Sequence, residues 1–154
     1  MSADLWSFSL STYARPGVED ACLALQASGA NVCLLLCAGW LGQRGVECTA
    51  LRLQHLQQVA GPWSTQVVEP LRRLRTQWKT AAELDADIAT LRSNVKALEL
   101  EAERQLLLRL QMTAQEWPVG QAQDLAAWLE GLAASAANLN RDALHQLRVA
   151  MTEP

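Results

Sequence analysis

The chain has 154 residues, half of them hydrophobic and 19% charged, with a formal charge of −3 and a pI near 5.4. This balance excludes a disordered or fibrous chain and fits one domain with a single core. The acidic charge also excludes a global attraction to phosphate backbones or anionic membranes, so nucleic-acid binding would need a local basic patch.

Helix formers dominate, and strand-forming Val, Ile, Thr, Tyr and Phe are thinly scattered, so the expected class is all-α. The expected architecture is one helical domain of six to eight helices with a projecting antiparallel hairpin: a body over residues 1–61, the hairpin over 62–116 and C-terminal helices over 121–151. The start Met1-Ser2-Ala3-Asp4 lacks the basic and apolar pattern of an export signal, so a cytoplasmic location is expected. Asp4 offers an N-cap to a helix carrying Leu5, Trp6, Phe8, Leu10 and Tyr13, and Pro16-Gly17 breaks the chain before a second helix that reaches about Ser28. Asn31 then caps an apolar helix through residues 32–38, which is expected at the centre of the core. The apolar run over 32–41, about ten residues, falls short of the roughly twenty that span a bilayer, so no membrane partner is expected. Gly39, Gly42 and Gly45 are expected to loosen the chain after it.

A polar helix with Leu53, Leu56 and Val59 or Ala60 at core spacing should stop at Gly61-Pro62, and the next helix presents Val67, Leu71, Leu74 and Trp78. Thr80-Ala81-Ala82-Glu83 has the form of a capping box, which predicts that the segment reverses near Thr80 into an antiparallel pair. On the returning arm Leu84, Ile88, Leu91, Val95, Leu98 and Ala102 recur four and three apart as a narrow seam. Leu106, Leu107, Leu108 and Leu110 broaden it, so this half should dock into the core while the first half projects. Trp117-Pro118-Val119-Gly120 ends the arm, Leu125 to Leu139 carries another amphipathic pattern, and Asn140 can cap a last helix. The Ala-rich stretch 132–137 buries little per residue, which predicts a loosely held C-terminal end.

No nucleophile elbow, phosphate-binding loop, dinucleotide fingerprint or helical metal motif is present, so no catalytic residue, cofactor or metal ligand is assigned. Cys22, Cys33, Cys37 and Cys48 lack zinc-knuckle spacing and read as reduced structural thiols. Neither His55 nor His145 lies in a helical metal motif, and His55, in a helix rich in Gln and Arg, reads as a solvated or capping imidazole. Glu99 and Glu103 stand one turn apart and could serve as paired carboxylates, although a solvated face offset by Lys96 and Arg104 is the plainer expectation. Arg72, Arg73, Arg75 and Lys79 form the basic cluster, beside Trp63 and Trp78 as stacking platforms. Acids at 83, 85 and 87 favour an ion-paired role over nucleic-acid contact.

Leu5-Trp6-Ser7-Phe8-Ser9-Leu10 with Tyr13 and Pro16-Gly17-Val18, Cys22-Leu23-Ala24-Leu25-Gln26, residues 31–36 running to Trp40-Leu41, Pro70-Leu71-Arg72 and Glu101-Ala102-Glu103-Arg104 together resemble a family of short bacterial proteins. It is a domain-of-unknown-function group, mainly gammaproteobacterial, and the resemblance covers roughly the first 110 residues. It implies a small helical cytoplasmic protein, carries over no catalytic residue, and through encoding beside ABC-F type ATPases implies a translation-linked accessory role. The expected function is accordingly a non-enzymatic accessory or interaction protein that binds a protein partner or itself through the hairpin, using Arg72, Arg73, Arg75, Lys79, Leu91, Val95, Glu99 and Glu103. The alternative is ligand binding or catalysis in a helical pocket involving Arg72, Arg75, Glu99 and Glu103. A third expectation is RNA or ribosome binding through the basic cluster.

Overall fold

The computed structural model describes residues 4–152; Met1, Ser2 and Ala3, on which the export-signal expectation rests, lie outside the described residues. Local signals set the helix starts. Asp4 caps α1 (Leu5–Tyr13) by accepting from the Ser7 N–H at 2.7 Å, and Asn31 caps α3 (Val32–Arg44) by accepting from the Leu34 N–H at 3.3 Å, with α2 (Val18–Ala27) between them. There follow α4 (Ala50–Trp63), a π-turn (Ser64–Val68), α5 (Glu69–Gln77), α6 (Lys79–Leu84) and α7 (Ala86–Ala114), then α8 (Leu125–Ala133), α9 (Ser135–Leu139) and α10 (Arg141–Thr152). Among the described residues every regular element is helical. Kinks at Trp78 and Ala134 divide into ten segments what the sequence pattern groups into fewer, longer helices. No helix among the described residues is long and apolar enough to cross a membrane.

Three breaks fall elsewhere than expected. Gly39 and Gly42 stay inside α3, which ends only at Gly45, in the left-handed region at φ 72°. At Gly42 the missing side chain is a packing device, because a Cβ there would lie 2.9 Å from the Leu125 Cα. Gly61-Pro62 likewise does not stop α4; glycine has no Cβ to meet the proline ring, so the helical path continues. The chain absorbs Pro62 and Pro70 with the π-turn between them, where the Glu69 N–H reaches back five residues to the Ser64 carbonyl. Its extra residue advances the helical face, so Val68 is buried and Val67 only half-buried, and Val68, Arg72 and Arg75 come onto one stripe. Finally, the reversal comes at Asp85 rather than near Thr80. Asp85 adopts an extended backbone and caps α7 by accepting from the Asp87 and Ile88 N–H groups, and one acceptor meeting two orphan donors outcompetes the Thr80 box.

The core is built around α3, whose residues 33–42 are all buried. α8 lies along its glycine face, α1 and α2 cover other sides, and the inner half of α7 closes the cluster with Leu106, Leu107 and Leu110 while Leu108 faces out. The C-terminal helices are part of this core rather than a loose end. Trp128 is fully buried and donates from Nε1 to the Val46 carbonyl at 2.8 Å, and Ala133, Ala136 and Ala137 pack tightly because their small side chains let backbones approach. What the alanines lack in area they recover in close contact.

α5 and α6 run antiparallel to the outer half of α7 as the hairpin. Its buried line on α7 is Ile88, Arg92, Val95, Glu99, Ala102 and Leu106, again four and three apart, with Ile88 and Arg92 half-buried. Of the expected seam, Ile88, Val95 and Ala102 point inward, while Leu84, Leu91 and Leu98 are 87%, 51% and 57% exposed. Polar Arg92 and Glu99 take the places predicted for leucine. Arg92 donates from Nε to the Arg75 carbonyl at 2.9 Å. At the hairpin base Trp63 donates from Nε1 to the Ala102 carbonyl at 2.9 Å.

Two glycines separate backbone strain from collision. At Gly45 a Cβ would stand 2.2 Å from the Gln121 carbonyl oxygen as well as at positive φ, whereas Gly17, at φ 86°, has nothing within 4 Å. Gly45→Ala is expected to cost about 3 kcal/mol, or roughly 6–12 °C in Tm, and Gly17→Ala about 1 kcal/mol, read by thermal denaturation.

Candidate functional site

The stripe on α5 and the buried line on α7 meet at Glu99. The carboxylate, on a residue only 5% exposed, is held by two guanidinium groups. Arg72 donates from Nε to Oε2 at 3.1 Å, and Arg75 donates from Nε to Oε1 and from Nη2 to Oε2 at 3.2 Å. Both oxygens are thereby used, which is what a carboxylate taken out of water requires. One turn on, Glu103 has a looser contact, its Oε1 lying 3.6 Å from Arg72 Nη2. The two acids therefore differ: Glu99 is saturated, Glu103 is not.

This cluster forms one end of a cavity of about 480 Å³ between the hairpin base and the α1–α2–α3 face. The π-turn brings Ser64 and Val68 into its wall, and Asn31 fixes the turn by donating from Nδ2 to Ser64 Oγ at 2.6 Å. Trp6, Ser9, Tyr13 and Cys33 also line the cavity. Apolar Leu36, Leu106 and Leu107 form the floor, and Leu10, Leu23 and Leu100, 55%, 46% and 57% exposed, stand where the wall meets solvent. Ser9 is 4% exposed, and its hydroxyl is the buried side-chain polar atom left without a hydrogen-bond partner among the described residues. Such an atom costs free energy unless something satisfies it.

The electrostatics follow from burial and neighbours. Burial opposes ionisation of Glu99, but the Arg75 and Arg72 guanidinium groups outweigh it and hold the carboxyl below its ordinary 4.5. Burial, then the charge of Glu99, push Glu103 above 4.5, with Arg72 only partly offsetting them. Burial, with nearby Cys22, Glu19 and Glu103, pushes the Tyr13 hydroxyl up to about 12, and burial pushes Cys33 up strongly. At neutral pH Tyr13 and Cys33 are therefore neutral donors or apolar surface.

Of the residues expected at a site, the structure brings Arg72, Arg75, Glu99 and Glu103 together. It leaves Arg73 and Lys79 exposed and apart from the cavity, Leu91 on the outer face of α7, and Val95 buried inside the hairpin, out of reach of a partner. The expectation of a solvated Glu99 face is corrected: Lys96 and Arg104 do not offset it, Arg104 lying 4.0 Å from Glu101 and over the Trp6 ring instead. With Arg72 and Arg75 committed to Glu99, the basic cluster presents fewer free cations to solvent than its sequence suggests. Ser9 and Tyr13 were missed. The signal for Ser9 was its place in the spacing Leu5, Ser9, Thr12, a polar residue at core intervals on α1.

Opposite pKa shifts give opposite pH dependence. The folded state gains from ionised Glu99 above pH 4.5 and loses that gain as pH falls through the lowered folded value; it gains from protonated Glu103 below pH 4.5 and loses that gain as pH rises through the raised folded value. At pH 7, Glu99→Gln is expected to cost about 1–2 kcal/mol, with the half-buried arginines left short of a counter-charge. Glu103→Gln is expected to keep or raise Tm and to flatten the stability profile above pH 4.5, as followed by denaturant melts between pH 4 and 8.

No curated protein and no solved structure matches the chain. Residues 4–110, more than half of the sequence, match the family described as protein of unknown function DUF2390. The matched segment runs from the cap of α1 to Leu110 and holds every residue named above in the cavity wall, and on that match the chain belongs to the DUF2390 family.

Proposed function

We propose that the protein binds a small, largely apolar molecule in the cavity between α1, α3, the π-turn and α7. The observation that carries this reading is the unsatisfied Ser9 hydroxyl in the wall of a largely apolar space closed at one end by the Arg72–Arg75–Glu99–Glu103 cluster. A volume of about 480 Å³ lies within the range of roughly 300–1,000 Å³ typical of small-molecule sites, and a few convergent polar groups in an apolar lining are their usual composition. Glu99 and its arginines set the geometry; Glu103, Ser9 and Tyr13 retain hydrogen-bonding capacity. A thermal-shift screen of small amphipathic compounds tests it. A ligand at about a hundred times its Kd should raise Tm by roughly 5–10 °C. Leu23→Trp, which places a larger ring at the half-exposed mouth, should abolish the shift with little change in unliganded Tm. A shift that persists in this variant, or none across a chemically varied set, would sink the reading.

A second reading, an accessory protein that engages a protein partner or a second copy, is supported by Leu91 and Leu98, exposed seven residues apart on the outer face of α7, with Leu84 exposed at the hairpin turn. Leu91→Glu with Leu98→Glu should leave stability within about 0.5 kcal/mol, because both side chains are exposed. The double variant should lose any partner that the wild type retains from cell lysate, or any self-association seen by light scattering. Identical behaviour of the two proteins in both assays would remove this reading.

A further inference from the structure

The cavity carries information about the charge of its occupant. Four acids, Glu19, Glu69, Glu99 and Glu103, and two bases, Arg72 and Arg75, line it. Lys96 lies with Arg75, Glu99 and Glu103 in an adjoining shallow depression, and even with it counted the acids outnumber the bases. Both arginines are already engaged by Glu99, so neither offers a free guanidinium to an anion without unmaking that clasp. Glu19 and Glu69 are exposed to solvent; among the acids withdrawn from it, the one with spare accepting capacity is Glu103, whose one ion-pair distance is a long 3.6 Å. The buried Ser9 hydroxyl, unpartnered and in the same wall, is a second acceptor for an N–H donor. Beyond these, Gln26, Asn31 and Ser64 are neutral polar groups and the rest of the wall is apolar; the Tyr13 ring adds a negative face that favours a cation, whereas the Trp6 ring already has Arg104 over it.

We infer that the ligand is a small amphipathic amine, bound with its ammonium group on Glu103 and its apolar body among Leu36, Leu106 and Leu107. This rests on the cavity reading of the function and deepens it. An ammonium supplies three donors and one positive charge where the wall has unfilled acceptors and surplus negative charge. A carboxylate or phosphate in the same place would face Glu103 at close range and would have to take Arg72 from Glu99. The raised proton affinity of Glu103 agrees with this, since burial and Glu99 leave its charge poorly compensated until a cation arrives.

Calorimetric titration of the full chain at pH 7 with octylamine, octanol and octanoate separates the possibilities, because the three share one apolar body and differ only in the head group. Octylamine is expected to bind at least about tenfold more tightly than octanoate, with octanol between them. Glu103→Gln should weaken octylamine about tenfold and leave octanol within twofold. Octanoate binding as tightly as octylamine, or octylamine binding that is indifferent to Glu103→Gln, overturns the amine assignment while leaving the cavity reading intact. Binding by none of the three overturns both. The comparison of head groups is made on the wild type, so it does not depend on the variant folding.

Discussion

A carboxylate that has lost its water must be repaid in hydrogen bonds from fixed positions, and Glu99 imposes that demand on the hairpin. Three donors from two successive turns of α5 converge on it, so the register of α5 against α7 is set to within a fraction of a turn. Apolar side chains at the same places would pack with little penalty and could slide; an ion cluster of this kind contributes more to a single arrangement than to net stability. With the register set, Val68 and Ser64 reach the cavity wall, Glu103 faces the space beside them, and Trp63 meets the Ala102 carbonyl at the base.

The rest of the fold supplies a rigid platform for that clasp. α3 is buried over ten successive residues, so it has no face left to move, and its N-cap Asn31 also holds the π-turn through Ser64. One side chain thus starts the central helix and fixes the irregular turn that carries α5 into place. The π-turn is the point at which two prolines, each missing a donor, are accommodated without ending the helix. The extra residue it inserts is what aims Arg72 and Arg75 at α7.

Much of this is legible in the residues. The caps at Asp4 and Asn31, the central place of the 32–38 run and the existence of an antiparallel hairpin follow from side-chain chemistry and spacing. The inner face of α7 was harder to read because a heptad rule ranks leucine above arginine and glutamate. Leu91 and Leu98 yield those positions to Arg92 and Glu99 through partners on the other arm, which are far apart in sequence, and Leu84 ends α6 before the reversal. The π-turn had no local signature beyond its flanking prolines, and proline spacing is as compatible with a break as with a bulge. The grouping of Arg72, Arg75, Glu99 and Glu103 could be suspected from charge, but the space beside them could not, since a cavity belongs to the docking of six elements and to none alone.

The close approach at Gly42 reaches beyond packing. The DUF2390 match stops at Leu110, yet the groove that Gly39 and Gly42 open along α3 is filled by Leu125 of α8 and Met151 of α10, both past that limit. Cut at the family boundary, the chain would present the central helix of its core to water along the side that α8 and α10 cover. The unit recognised by sequence likeness and the unit able to hold itself folded are therefore different lengths of the same polypeptide.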